Sequence, residues 1–136
     1  MYEAAIQTVA ATYQNENDVS LLAKLFDEML QRDLSPSAQA YQTLILAHLG
    51  RDSEVWSAIL RSQQSIAARK ADNKPIPKHH DRDVRVISRL RSEPNLRSAI
   101  RIFQAADKAC VGISPYVYVH LLHGHVRFVV QTSTPP

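Results

Sequence analysis

Cysteine and glycine are scarce in this sequence, and motifs for catalysis are missing. Cys110 is the only cysteine, so neither an internal disulfide nor a cage of cysteine ligands for a metal can form. The three glycines make no phosphate-binding loop, and neither a nucleophile elbow nor a paired-histidine zinc motif occurs. His120, His123 and His125 lack the spacing of a tetrahedral metal site. We therefore expect a protein that is not an enzyme, with no metal, cofactor or small-molecule substrate.

Long apolar runs are also missing. No run approaches the roughly 18 residues needed to cross a bilayer, so no membrane partner is expected. The first twelve residues, MYEAAIQTVAAT, contain Glu3 and no Lys or Arg, which does not fit a signal or transit peptide. We expect any targeting segment to lie outside this chain or to have been removed. With 45% hydrophobic residues, the composition favours one soluble domain over residues 1–136.

Basic residues are concentrated in the second part of the chain. Residues 1–50 contain Lys24 and Arg32 against six acidic residues, a net charge of −4. Residues 51–136 contain 14 basic and seven acidic residues, a net charge of +7. A basic region of this kind favours an anionic partner, and nucleic acid is the usual candidate. A solvated face without a partner is the alternative.

Apolar residues at helical spacing predict two short antiparallel helices between residues 21 and 50. The first apolar stripe contains Leu21, Leu22, Leu25, Phe26, Met29 and Leu30. Pro36 has no amide donor and disfavours helical angles at Ser35, so the chain should turn there. Tyr41, Leu44, Ile45 and Leu49 resume the period. Gly50, with the polar RDS after it, is predicted to close the second helix.

The sequence repeats itself at an offset of 77 in residue number. This offset pairs Leu25 with Ile102, Phe26 with Phe103, Tyr41 with Tyr118, and Leu44 with Leu121. An offset of 35 gives further matches, so 77 corresponds to two 35-residue units and a seven-residue insertion. The predicted repeats are 3–37, 38–79, 80–114 and a partial fourth at 115–136. The insertion falls at 65–80, where Pro75 and Pro77 predict an exposed loop.

The 35-residue period, the segment LFDEM followed by L-S-P, and Y-x-x-L-I resemble the pentatricopeptide repeat family. The signature returns in AIRIFQAADKACVGISPYVYVHLLHG, and the resemblance covers about Glu3 to Gly124. It implies an all-α fold, a right-handed α-solenoid of stacked helix-turn-helix repeats with a concave groove. The tetratricopeptide repeat, with a period of 34 and another aromatic pattern, ranks second.

In the pentatricopeptide family the groove binds single-stranded RNA at one base per repeat. By the resemblance, the base-reading positions are Gln7 and Gln42 on first helices and Ser37 at the end of the first repeat. Their counterparts Val84 and Val119 have no hydrogen-bonding groups. Base recognition along the whole groove is therefore not expected.

The segment KHHDRDVRVISRLRSEPNLRSAIR favours contact with the RNA backbone instead. A helix through Asp81 to Arg91 places Arg82, Arg85 and Arg89 within about 60° of one another, away from its apolar residues. Lys78 begins the segment. Guanidinium groups can bind phosphates through two hydrogen bonds each, so this basic stripe is a candidate RNA-binding site. A solvated face paired with Asp81, Asp83 and Glu93 is the alternative.

Two functions are consistent with these observations. The first is a non-catalytic, RNA-associated component of a mitochondrial ribonucleoprotein, the mitochondrial ribosome or its assembly machinery; another organelle is the alternative location. Its partners would be single-stranded or ribosomal RNA and other proteins of the complex. This function rests on the family resemblance and on charge. The second is a protein-binding scaffold in a larger complex without direct RNA recognition.

Overall fold

The computed structural model describes residues 1–12, 16–71 and 80–133, and the regular elements in these ranges are α-helices. They are α1 (Tyr2–Ala11), α2 (Glu16–Gln31), α3 (Ala38–Ala71), α4 (His80–Arg91), α5 (Asn95–Lys108) and α6 (Pro115–Ser133). The predicted all-α class is confirmed. Within the described ranges, none of these helices has the length and apolar character required to span a bilayer.

The chain forms two compact units. The first comprises Met1–Arg51 and Asn95–Pro136, and the second comprises Asp52–Pro94. The first part of α3 therefore belongs to the first unit, and the rest of this helix belongs to the second. The first unit is interrupted in sequence by the second.

The core of the first unit is built on the first turns of α3. Tyr41, Leu44, Ile45 and Leu49 are each at most 4% exposed. They pack with buried residues of the four other helices of this unit, namely Ile6, Leu22, Phe26, Met29, Ala99, Ile102, Ala106 and Val117. Burial of one large apolar side chain contributes about 1.5–3 kcal/mol, so this cluster is the main source of stability in the unit.

The second unit has a smaller core between α3 and α4. Val55 and Ile59 of α3 and Leu90 of α4 are buried there. Partly buried apolar residues surround them, namely Trp56, Ala58, Val86 and Ile87. The predicted apolar side of α4 is thus the side that packs on α3.

The turn between α2 and α3 follows from a few residues. Asp33 has a φ of 55°, and the Leu34 amide donates to the Met29 carbonyl at 2.9 Å, which together close the end of α2. Pro36 is buried in the turn. The Ala40 amide donates to Ser37 Oγ at 3.2 Å, so Ser37 is the N-cap of α3. The predicted stop and restart around Pro36 is confirmed.

The same construction recurs in the later copy of the repeat, between α5 and α6. Cys110 has a φ of 57°, and the Val111 amide donates to the Ala106 carbonyl at 3.0 Å. Ser114 Oγ accepts from the Tyr116 amide at 3.3 Å, so Ser114 caps α6. Helix α6 begins at Pro115 and α3 at Ala38, which are equivalent positions of the repeat. The repeat found in the sequence is therefore also a repeat of turn geometry.

The aromatic pairs of the repeat match as well. The rings of Phe26 and Tyr41 meet edge to face with centroids 6.1 Å apart. Those of Phe103 and Tyr118 meet in the same manner at 5.1 Å. Each pair joins two consecutive helices, α2 and α3 in the first pair and α5 and α6 in the second. The pairing of rings therefore repeats, but its burial does not: Phe26 and Tyr41 are 1% and 2% exposed, whereas Phe103 is partly exposed and Tyr118 is 49% exposed.

The prediction that a helix ends at Gly50 is wrong, because α3 continues through it to Ala71. The glycine has no positive φ. Leu49, Asp52, Val55 and Ile59 are all at most 5% exposed and keep helical spacing across the glycine. Burial of this continuous stripe outweighs the roughly 1 kcal/mol that one glycine costs a helix interior. Residues 38–71 therefore form one helix, where the predicted repeat 38–79 would contain two.

The predicted loop at 65–80 is wrong at both ends. Residues 65–71 are the last turns of α3, and His80 is already the first residue of α4. These turns are rich in alanine and basic side chains, which favour helix. The remaining residues of the predicted loop, 72–79 with Pro75 and Pro77, lie outside the described residues.

Substitution of alanine for glycine tests the continuity of α3. A Cβ at Gly50 meets no atom within 4 Å, whereas one at Gly124 would lie 3.1 Å from Leu49 Cδ2 and 3.2 Å from Leu96 Cδ1. Gly50→Ala should raise the free energy of unfolding by about 0.5–1 kcal/mol, and Gly124→Ala should lower it. Chemical denaturation measures both. A helix end at Gly50 with positive φ would instead make Gly50→Ala destabilising.

Candidate nucleic-acid interface

In the second unit, two residues of the basic stripe, Arg85 and Arg89, lie on the exposed side of α4. Leu90 is 7% exposed and packs on Val55 and Ile59, which fixes the rotation of α4 about its own axis. Arg85 and Arg89 are exposed on another side of the helix. The backbone of Arg82 is helical and lies one turn before Arg85. The helix therefore orders the three backbone positions as predicted. The side chain of Arg82, and Lys78 as a whole, lie outside the described residues.

An ion pair within the second unit holds α4 against α3. The Arg69 guanidinium donates to the Asp83 carboxylate, with the two side chains 24% and 31% exposed. Sequence reasoning missed Arg69, because residues 65–71 were predicted to be loop. The 14-residue separation gives no local signal for such a pair. Pairing of Asp83 with the arginine stripe was the alternative to a binding face, and the structure pairs this carboxylate with Arg69 of α3.

Gln7 makes a structural contact in the first unit. Its Nε2 donates to Thr43 Oγ1 at 3.0 Å and joins α1 to α3 in a partly buried position. This bond uses one N–H of the Gln7 amide and fixes the side chain between α1 and α3. The geometry therefore assigns Gln7 to packing between helices.

Ser37 also has structural roles. Its hydroxyl caps α3, and its amide donates to Glu3 Oε1 at 2.7 Å. Both contacts keep the N-terminus of α3 next to α1. Gln42 is partly exposed on α3, while Val84 and Val119 are 48% and 49% exposed. The positions expected to read bases therefore provide few free polar groups.

A second row of basic side chains lies on α5 in the first unit. Arg97, Arg101 and Lys108 are exposed at intervals of four and seven residues, which places them along one side of the helix. Arg101 donates to Asp27 Oδ1 at 3.3 Å, and both side chains are about half exposed. Such an exposed pair contributes little to stability. The helical spacing of these residues is visible in the sequence, but the sequence analysis did not predict a second basic row.

His48 is a buried histidine without a hydrogen-bond partner in the described protein. It is 3% exposed, and neither ring nitrogen is bonded. Burial, and to a smaller extent the positive charge of Arg101, lowers the pKa of His48 from 6.5 to about 4. The ring is therefore neutral at pH 7 and acts as an apolar core group. Elsewhere in the described ranges, no three His, Cys, Asp or Glu side chains are grouped to hold a metal ion.

Comparison of the chain with protein-family models, with curated proteins and with solved structures finds no match in any of the three.

The hydrogen bond of Gln7 generates a prediction about stability. Gln7→Ala and Thr43→Val should each lower the free energy of unfolding, and the double variant should show a coupling of about 1 kcal/mol. Urea denaturation of the four proteins measures it. Gln42→Ala, on the same helix as Thr43, is the control and should change stability by less than about 0.5 kcal/mol. Independent effects of Gln7→Ala and Thr43→Val would contradict the assigned contact.

The lowered pKa of His48 predicts a loss of stability in mild acid. The unfolded chain binds a proton near pH 6.5, whereas the folded chain binds it only near pH 4. Stability should therefore be complete above pH 6.5 and fall as the pH drops towards 4. Between pH 7 and pH 5 the wild-type chain should lose about 2 kcal/mol more than His48→Leu. His125→Leu, at the exposed equivalent position of the repeat, should keep the wild-type profile. Parallel profiles of wild type and His48→Leu would contradict this account.

Proposed function

We propose that this chain is an RNA-associated helical-repeat protein that contacts the RNA backbone through the exposed side of α4. It acts as a non-catalytic component of a mitochondrial ribonucleoprotein, the mitochondrial ribosome or its assembly machinery. It belongs, in this proposal, to the pentatricopeptide repeat family as a diverged, short member of the right-handed solenoid type. Its second repeat has become one continuous helix.

The observation that carries the proposal is the geometry of α4. One side of this helix is held by Leu90 in the core, and Arg85 and Arg89 are exposed on another. An arginine row on the exposed side of a helix that packs on α3 can approach a phosphate chain from solvent. Because each guanidinium can donate two parallel hydrogen bonds to a phosphate, such a row binds backbone without reading sequence.

The charge around α4 supports the same conclusion. Residues 69–91 contain eight of the 16 basic residues of the chain and only three acidic ones. Two of the eight, Arg89 and Arg91, lie in the last turn of α4, where the helix dipole also favours positive charge. Concentrated positive charge attracts polyanions and gives affinity that depends on salt.

The choice of backbone over base edges is supported by the first unit. Gln7 is bonded to Thr43, and Ser37 is occupied by the cap of α3 and by Glu3. Val119, at another of the expected base-reading positions, provides no hydrogen-bonding group. Weak base preference suits a chain that binds RNA already positioned by neighbouring proteins. The mitochondrial location is supported by the family resemblance, because most pentatricopeptide proteins act in organelles.

A protein-binding scaffold without direct RNA recognition is the second candidate. It is favoured by the exposed apolar residues of α6, including Leu122 at 61% and Val126 at 50%. Exposed apolar faces of this extent are typical of protein interfaces. Under this function the arginines of α4 would be a solvated face.

Loss of the arginine stripe should weaken RNA binding. Arg82→Ala/Arg85→Ala/Arg89→Ala should lower the affinity for single-stranded or ribosomal RNA fragments at least about tenfold near 100 mM salt, because three phosphate contacts disappear. The slope of log affinity against log salt should become shallower by about 2 for single strands. Fluorescence anisotropy at several salt concentrations measures both quantities.

A second triple variant with the same change in net charge distinguishes an effect of the arginine stripe on RNA binding from an effect of net charge. Lys24→Ala/Arg97→Ala/Lys108→Ala also removes three positive charges, from exposed side chains of α2 and α5. Its affinity should remain within about threefold of wild type if α4 makes the phosphate contacts. Equal losses in both triple variants would reduce the effect to net charge and overturn the assignment to α4. Wild-type protein that fails to bind RNA, and binds a protein partner in a salt-insensitive manner, would favour the scaffold.

A further inference from the structure

The exposed side of α6 carries a row of apolar residues with the spacing of a helix–helix contact. Val119, Leu122, Val126 and Val129 follow at intervals of three, four and three residues, and 45–61% of each is exposed. On a helix this spacing aligns the four side chains along one line. We call these four residues the α6 seam.

The opposite side of α6 already packs in the core of the first unit. Val117 is fully buried, and Gly124 allows a close approach to Leu49 and Leu96. Arg127 is the one Lys, Arg, Asp or Glu in α6, and its guanidinium lies on the Gly124 side, 3.8 Å from the position of a Cβ there. The seam is therefore an uncharged surface separate from the one that holds α6 in the fold.

The internal repeat shows what this side of the helix does elsewhere in the same chain. The equivalents of Leu122 and Val126 in the earlier copy of the repeat, on α3, are Ile45 and Leu49. Ile45 is 0% and Leu49 4% exposed, against 61% for Leu122 and 50% for Val126. Leu49 is covered by α5 and α6, since it lies against Gly124 and beside Leu96. On α3, then, the side that corresponds to the seam is covered by other helices.

Two seam positions of α6 are also more apolar than their equivalents on α3. Val119 stands where α3 has Gln42, and Val129 stands where α3 has Asp52. If this side of α6 faced water in the functional protein, its residues would be expected to be more polar than their equivalents on α3. The pattern instead matches a surface that becomes buried by a partner.

A head-to-tail arrangement of two copies is blocked. In such a dimer, the seam of one copy would pack on the surface of the other copy that corresponds to Leu96 and Gly124, which cover Leu49. The residues at those equivalent positions of the earlier repeat are Val19 and Ala47. Val19 is 6% exposed, and Ala47 packs against the core. The neighbouring Thr43 is bonded to Gln7 of α1. That surface is therefore occupied by the protein itself.

A two-fold arrangement needs only the seam from each copy. Two identical seams are complementary to each other when related by a two-fold axis, and they bring no like charges together. Three of the four seam residues, Val119, Val126 and Val129, are β-branched and the fourth is Leu122, so each seam offers four apolar side chains at the spacing of a helix–helix contact. We infer that two copies of this chain pair through the α6 seam to form a symmetric dimer. This dimer does not depend on the proposed contact with RNA.

Sedimentation equilibrium of the full chain from about 1 to 100 µM tests the dimer. The wild-type chain should be dimeric at the upper end of this range. Leu122→Glu should raise the dimer dissociation constant at least 100-fold, because it places a carboxylate in the seam of each copy. Leu21→Glu on α2 is the matched control, since Leu21 is 44% exposed and outside the seam. It should leave the dissociation constant within about threefold of wild type.

A second substitution guards against an effect of Leu122→Glu on folding. Val126→Ser should raise the dissociation constant at least tenfold, and helical circular dichroism should match wild type in both seam variants. A wild-type chain that is monomeric at about 100 µM would overturn the inference and leave the seam to a partner of different sequence. A dimer that survives both seam substitutions, or that Leu21→Glu dissociates equally, would also overturn it.

Disulfide formation between copies provides a test of the geometry. In a Cys110→Ser background, Val119→Cys, Leu122→Cys and Val126→Cys are made one at a time, and the variant nearest the two-fold axis should form an intermolecular disulfide under mild oxidation. Leu21→Cys should not. Failure of all three seam positions to crosslink would contradict pairing through α6.

Discussion

The first turns of α3 are the constraint on which the rest of the structure depends. Tyr41, Leu44, Ile45 and Leu49 are all buried, so this part of the helix must be covered by others on several sides. Helices α1, α2, α5 and α6 supply that cover in the first unit. The later turns of the same helix provide Val55 and Ile59, on which α4 packs in the second unit. One helix therefore contributes to both cores, and its later turns fix which side of α4 presents the arginines.

The all-α class and the internal repeat could be predicted because both produce a regular spacing of apolar residues along the sequence. The Phe26–Tyr41 pair and its later counterpart are consequences of that repeat. The continuity of α3 could not be predicted in this way. Gly50 followed by polar residues is a common helix end, but Asp52 is buried despite its charge and the apolar spacing resumes at Val55. Tertiary burial decided the outcome, and it is invisible to a local pattern.

The residues of the candidate site also fall into two groups, those whose placement follows from local apolar spacing and those whose contacts are distant in sequence. The helix around Arg85 and Arg89, and the side on which it packs, followed from periodicity and agree with the structure. The contacts of Gln7 and Ser37 did not follow from it, because their partners Thr43 and Glu3 lie 36 and 34 residues away in sequence. A family register predicts where a residue stands in a repeat. Whether its polar atoms are available depends on its neighbours in space.

The interruption of the first unit by residues 52–94 has a consequence for synthesis on the ribosome. Helices α1 to α3 emerge first, but Leu96 and Gly124, which lie against Leu49, are translated only after the whole of the second unit. During that interval the nascent chain exposes an apolar surface that the finished protein hides. Since translation proceeds at about 5–20 residues per second, the exposure should last for seconds, and we expect chaperones to bind this intermediate.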